Sequence, residues 1–176
     1  MKRFLLPLLT LCSLSSYSQN IGDKTFDKFD STYSISTKDE TLVGSKFGKN
    51  YLKVKIFYSW FKKARFVNHP EAKTYSVLIG FKTNTVTSTS NETEINVQFG
   101  DGTVVTYNRP DANYKVVSEM GYFIFDVPLG DKLFTNDIKA IRVRTSEINL
   151  DYEIPTKKAS YIKNALALVK NESDKP

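Results

Sequence analysis

Apolar and polar residues alternate through most of this chain, and a period of two marks strands that are buried on one face and exposed on the other. The clearest case is the stretch 51–61. There Leu52, Val54, Ile56, Tyr58 and Trp60 alternate with Lys53, Lys55, Phe57 and Ser59. Phe29 leading into Tyr33 and Ile35 predicts an earlier strand. Tyr75, Val77, Ile79 and Phe81 predict a later one, followed by Ile95, Val97 and Phe99, and then Val105 and Tyr107. Tyr114 and Val116 suggest an edge strand. Phe123, Phe125 and Val127, then Ile141 and Val143, then Leu150, Tyr152 and Ile154 complete the set. Residues 85–91 read as a polar Ser/Thr loop, and residues 38–50, with two glycines, as a longer loop. The pattern predicts an antiparallel β-sandwich of about eight or nine strands.

Register can be read at two hairpins. Around Gly100-Asp101-Gly102, a three-residue loop opposes Phe99 to Thr103, Val97 to Val105 and Ile95 to Tyr107. That choice puts the apolar residues on one face, with Gly102 left-handed in a bulge. The second hairpin turns through Ser146-Glu147-Ile148-Asn149. Opposing Thr145 to Leu150 then sets Val143 against Tyr152 and Ile141 against Ile154. On the other face Arg144 meets Asp151 and Arg142 meets Glu153. These two arginines resemble a nucleic-acid stripe, but the facing carboxylates are their expected partners.

The period changes to that of a helix near the C-terminus. Ile162, Leu166 and Val169 recur on one face, widened by Tyr161, Ala165 and Leu168, with Thr156 as the expected N-cap. A helix over about 156–170 with a single apolar stripe is expected to dock on the sheet rather than lie on a membrane. Residues 171–176 read as a polar tail.

The first eighteen residues follow another pattern. Met1-Lys2-Arg3 is basic, an apolar run follows to Leu14, and Ser16 and Ser18 are small residues at the −3 and −1 positions before Gln19. This is the layout of a secretory signal peptide, and the run is shorter than the roughly twenty residues a membrane span needs. Cleavage at Ser18 would leave a single domain with no transmembrane segment, periplasmic or extracellular. A lipid anchor at Cys12 is disfavoured by the bulky Leu11 before it and by the apolar run continuing past it. Cleavage also removes the chain's one cysteine, so disulfides and thiol chemistry leave with it. The loss of Lys2 and Arg3 reduces 25 basic residues to 23 against 19 acids, a charge of +4. That mild excess, with the paired arginines, argues against nucleic acid as a partner.

Candidate chemistry is sparse. His69 is the single histidine, in the turn-like stretch Asn68-His69-Pro70-Glu71, and the chain has no zinc-ligand spacing, no G-x-S-x-G and no phosphate-cradling glycine loop. No catalytic residue, metal ligand or cofactor is assigned. Calcium at Asp101 would rest on one carboxylate where about six or more oxygens are needed. A carboxylate pair of the glycosidase kind stays open, since nothing singles one out. The most unusual segment is the second face of residues 51–61, where Tyr51, Lys53, Lys55, Phe57 and Phe61 interleave aromatics with cations and Lys62, Lys63 and Arg65 extend the charge. Such a face can stack on sugar rings or receive a protein. Cover by a loop or by the C-terminal helix is the plain structural alternative.

The second half has a recognisable cadence. Val97-Gln98-Phe99-Gly100-Asp101-Gly102-Thr103 is followed by Gly121-Tyr122-Phe123, then Leu129 and Leu133, then residues 138–145 as Ile-Lys-Ala-Ile-Arg-Val-Arg-Thr, and Lys158-Ala159 at the expected helix start. Over roughly residues 75–170 this resembles small exported β-sandwich proteins of Bacteroidetes that carry an F-x-D-G-T-like hairpin and an I-K-x-I-R-[IV] strand. Gly100 stands where that hairpin often continues as strand. The resemblance implies an exported β-sandwich and brings no activity or site residues with it. The expected function is a non-enzymatic envelope protein that binds a protein partner. A carbohydrate-binding module using the 51–61 face and a small carboxylate-based hydrolase are the alternatives.

Overall fold

The computed structural model describes residues 21–28, 32–44, 51–61, 75–83, 93–107, 117–119 and 122–173. These form eleven strands and one α-helix. In chain order the strands are β1 (Ile21–Asp27), β2 (Thr32–Thr37), β3 (Glu40–Val43), β4 (Leu52–Phe61), β5 (Tyr75–Thr83), β6 (Glu94–Phe99), β7 (Val104–Tyr107), β8 (Val117–Glu119), β9 (Tyr122–Asp126), β10 (Ile138–Arg144) and β11 (Asn149–Glu153). The helix α1 spans Tyr161–Ser173. The larger sheet runs β1-β2-β4-β5-β9-β8 with β3 also paired to β4, and the smaller runs β11-β10-β6-β7. All described pairings are antiparallel. The expected mainly-β sandwich with a C-terminal helix is the architecture found.

Alternation places the core. Leu52, Val54, Ile56 and Tyr58 of β4 are buried, as are Val77, Ile79 and Phe81 of β5, Ile95, Val97 and Phe99 of β6 and Ile141 and Val143 of β10. Together with the helix residues Ile162, Ala165, Leu166 and Val169 they form one cluster. The sheets meet where the Tyr107 ring lies 4.6 Å from that of Phe125. Four strands cannot cover a sheet six strands wide. The helix closes the remainder, packing on β2, β4 and a 3-10 turn at Lys132–Phe134. Lys24 of β1 pairs with Glu172 of the helix at 2.5 Å, and Lys158 pairs with Glu40 of β3. At one end of the larger sheet Phe26, Tyr33 and Trp60 stack across three strands, with ring centroids 4.4 and 5.3 Å apart.

The first hairpin has the expected register, Val97 opposite Val105 and Ile95 opposite Tyr107, with Gly102 at φ +85°. The second is shifted by two residues. Val143 faces Leu150, Ile141 faces Tyr152, and the chain turns at residues 145–148. The Thr145 hydroxyl explains the shift. It accepts from the N–H groups of Glu147 and Ile148 at 3.2 and 3.1 Å and fixes the turn one residue earlier than expected. The two-residue slip keeps every side chain on its face, so both arginines still point outward.

The helix starts later than expected. Pro155 leads into a 3-10 turn at Thr156–Lys158, and the Ala159 carbonyl accepts from the N–H of Ile138 at 3.0 Å. That bond to β10 commits the chain there, so Thr156 is not the helix cap and α1 begins at Tyr161. The helix also runs to Ser173, so residues 171–173 are helical rather than tail. Strands β1 and β3 occupy stretches expected to lie outside strands. Phe29, the 85–91 loop, Tyr114, Val116, the first twenty residues and most of the 38–50 glycine loop beyond Gly44 lie outside the described residues.

Candidate functional site

In β4 the even-numbered residues point inward, so Tyr51, Lys53, Lys55 and Phe57 lie on the outer face of the larger sheet, each partly exposed. The helix packs on the inner side and does not cover them. The Lys53 ammonium lies 5.2 Å from the centroid of the Tyr51 ring, and the Lys55 ammonium lies 5.2 Å from that of Phe57. Each cation sits over a ring face, a favourable arrangement on a partly exposed surface. Phe61 pairs by backbone with Thr32, and its side chain lies outside the described residues, as do Lys62, Lys63, Arg65 and His69.

Register shows what surrounds these side chains. Phe57 lies between Ser36 of β2 and Leu78 of β5. Lys55 lies opposite Gly80, which in turn faces Ile124 of β9. Phe57, Leu78 and Ile124 therefore form an apolar patch across three adjacent strands. A shallow groove of about 390 Å³ runs over it, bordered by Ser34, Ser36, Ser59 and Thr25. Lys53 stands opposite Lys82, so the face has a basic end, an apolar middle and a hydroxyl-rich end. The sequence pointed to Phe57 and the lysines. Leu78 and Ile124 carry no such mark, because each sits inside a continuous apolar run, Val77-Leu78-Ile79 and Phe123-Ile124-Phe125, without the alternating lysines that fix the side of Phe57. Lost alternation was the available signal: an apolar residue at an outward position needs a reason beyond the core.

The outer face of the smaller sheet differs. Arg142 donates from Nε and Nη2 to the two carboxylate oxygens of Asp151 at 2.5 and 2.9 Å, and Arg144 approaches Glu94 at 3.6 Å. The expected partners were Glu153 and Asp151. The shifted register moves each arginine to a different carboxylate, but both are paired as anticipated. The Arg142 guanidinium holds the Asp151 carboxyl below its ordinary range.

Asp101 is occupied by protein groups. Its Oδ1 accepts from the N–H and hydroxyl of Thr103 at 2.9 and 2.6 Å, and Lys132 pairs with its Oδ2 at 3.1 Å. The Thr103 bonds, then Lys132, hold its carboxyl down to about 2. The carboxylate thus closes a turn and docks the 3-10 turn against the hairpin. Among the described residues no group of three or more His, Cys, Asp or Glu is placed to hold a metal ion. Nearby, the buried Tyr107 donates its hydroxyl to Asp131 at 2.7 Å, and burial, then that carboxylate, raise its phenol strongly. No described helix is long and apolar enough to cross a membrane. Comparison with family models, with curated proteins and with solved structures gives no match.

Proposed function

We propose that this is an exported, non-enzymatic protein that binds a protein partner of the cell envelope through the outer face of its larger sheet. The observation behind this reading is the Phe57, Leu78 and Ile124 patch, apolar on three neighbouring strands and left uncovered by the helix. Contiguous outward apolar side chains rimmed by polar ones are a recurrent mark of interaction surfaces. Lys53 and Lys55 at one end would orient a partner carrying acidic groups. Export rests on the signal-peptide layout of the first eighteen residues and on the resemblance to exported Bacteroidetes proteins.

The sugar-stacking alternative for this face is less favoured, because the lysines compete for the ring faces a sugar would use. The hydrolase alternative needs a carboxyl held protonated as an acid. Among the described residues, the carboxyls with displaced titration, Asp101 and Asp151, are both held toward the charged form.

A photo-crosslinking residue at Phe57 or Leu78, compared with one at Asn96 on the opposite outer face, tests the proposal in cells that export the protein. A discrete adduct is expected from the first two positions, and it should weaken when Lys55→Glu is added. No adduct, or the same adducts from Asn96, would sink the reading.

A further inference from the structure

We propose that the outer face of the smaller sheet is a second binding site, centred on Ala140, for a neutral, hydroxyl-rich ligand of the saccharide class. In register, Ala140 lies between Gln98 of β6 and Glu153 of β11. A single methyl between two long side chains leaves a dip in the sheet, and a depression of about 530 Å³ opens there. That volume falls within the range of about 300–1,000 Å³ usual for small-ligand sites.

The groups around the dip are planar and polar, and two of them are held in place by side-chain bonds. Asn96 accepts from the Thr106 hydroxyl at 2.6 Å through Oδ1, which leaves its amide N–H groups to donate outward. Arg142 is locked by its two bonds to Asp151 and keeps further guanidinium N–H groups. Among the described residues, the Gln98 amide and the Glu153 carboxylate have no side-chain partner. Held donors beside open acceptors and donors in one shallow place match the alternating donor and acceptor character of sugar hydroxyls. Val104, 56% exposed and opposite Gln98, adds an apolar surface for the C–H side of a sugar ring.

Charge selects within the class. The lining carries two arginines against Glu94, Asp151 and Glu153, an excess of one negative charge. An anionic ligand would meet both that excess and arginines already engaged by carboxylates. A neutral glycan meets neither obstacle. The site is separate from the Phe57 face, since it lies on the other sheet of the sandwich.

The test is an array of neutral and anionic oligosaccharides probed with the purified protein, followed by titration of the best ligand by NMR. Saturable binding to neutral glycans is expected, with amide shifts on β6 and β10. Ala140→Trp should fill the dip and abolish binding. Gln98→Ala and Glu153→Gln, which leave the backbone untouched, should each weaken it about three- to tenfold. Phe57→Ala should leave it unchanged, which separates this site from the one proposed above. Absence of neutral-glycan binding would overturn the proposal. So would a preference for anionic glycans, or full binding by folded Ala140→Trp and Gln98→Ala variants.

Discussion

The two sheets are alike on the inside and unlike on the outside. Inward, both offer rows of buried aliphatic and aromatic side chains to one shared core. Outward, the smaller sheet balances charge against charge, Arg142 with Asp151 and Arg144 with Glu94. The larger sheet sets lysines over aromatic rings and leaves Phe57, Leu78 and Ile124 in one patch. The inner faces are constrained by folding alone. The apolar patch on the outside is only half-buried and gains less from folding, which is why the proposed protein-binding site is placed on the larger sheet.

The largest effects should therefore ignore the difference between the sheets. Ile56 in β4 and Ile95 in β6 are both fully buried. Truncating either to alanine should cost about 2–5 kcal/mol, since the core is close-packed and the cavity collapses only in part. Urea unfolding of the two variants checks this. A cost several-fold larger in one sheet than in the other would mean that the inner faces are not equivalent after all.

One step down, the outward neighbours should separate stability from binding. Phe57→Ala removes a half-buried ring and its contact with Lys55, a loss of about 1 kcal/mol. Its effect on partner capture should be far larger, and the comparison of unfolding midpoint with crosslinking yield reads both. If Phe57→Ala destabilises as much as Ile56→Ala, the ring belongs to the core and the outer patch is structural.

How far the sequence revealed these faces depended on whether its pattern was unique. The outer face of β4 was legible because Lys53, Lys55 and Ser59 alternate with apolar residues and so fix the sides of the whole strand. The β6–β7 hairpin was legible because one loop length opposed Ile95 to Tyr107 and Val97 to Val105. The β10–β11 hairpin was not, because a slip of two residues preserves both faces, and a local hydroxyl, Thr145, made the choice. Strand β1 escaped notice because Asp23, Lys24, Thr25 and Asp27 are exposed, and such an edge strand shows no core signal. Strand β3 buries only Leu42. The apolar patch on the larger sheet needed three strands brought side by side, and strand order is not written in any one of them.

A smaller effect should come from the ion pairs of the smaller sheet. Arg142→Ala and Asp151→Ala, alone and together, form a double-mutant cycle. Both side chains are more than half exposed, so their coupling should be well below the core losses. It should also fade toward ~1 M salt, where the screening length falls to about 3 Å. A coupling that persists at high salt would show a geometric clamp rather than charge balance, and would sharpen the contrast with the lysines across the sandwich.

The smallest effect concerns the turn that joins β6 to β7, and it appears only in acid. The Asp101 carboxyl is lowered from 3.8 to about 2 by its bonds to Thr103 and then by Lys132. A depressed carboxyl stabilises the fold fully above its unfolded value. That stabilisation is lost as pH falls from about 4 through about 2, because protonation neutralises the carboxylate whose two oxygens accept from Thr103 and Lys132. Asp101→Asn keeps the shape and one acceptor oxygen but cannot change charge. Its stability should therefore fall less steeply than the parent's across that window, while the two profiles run parallel above pH 5. Thermal unfolding in buffers between pH 2 and 6 gives both curves. Identical acid slopes would mean that the turn contributes nothing to the pH dependence, and that charge balance on the smaller sheet ends at its outer face.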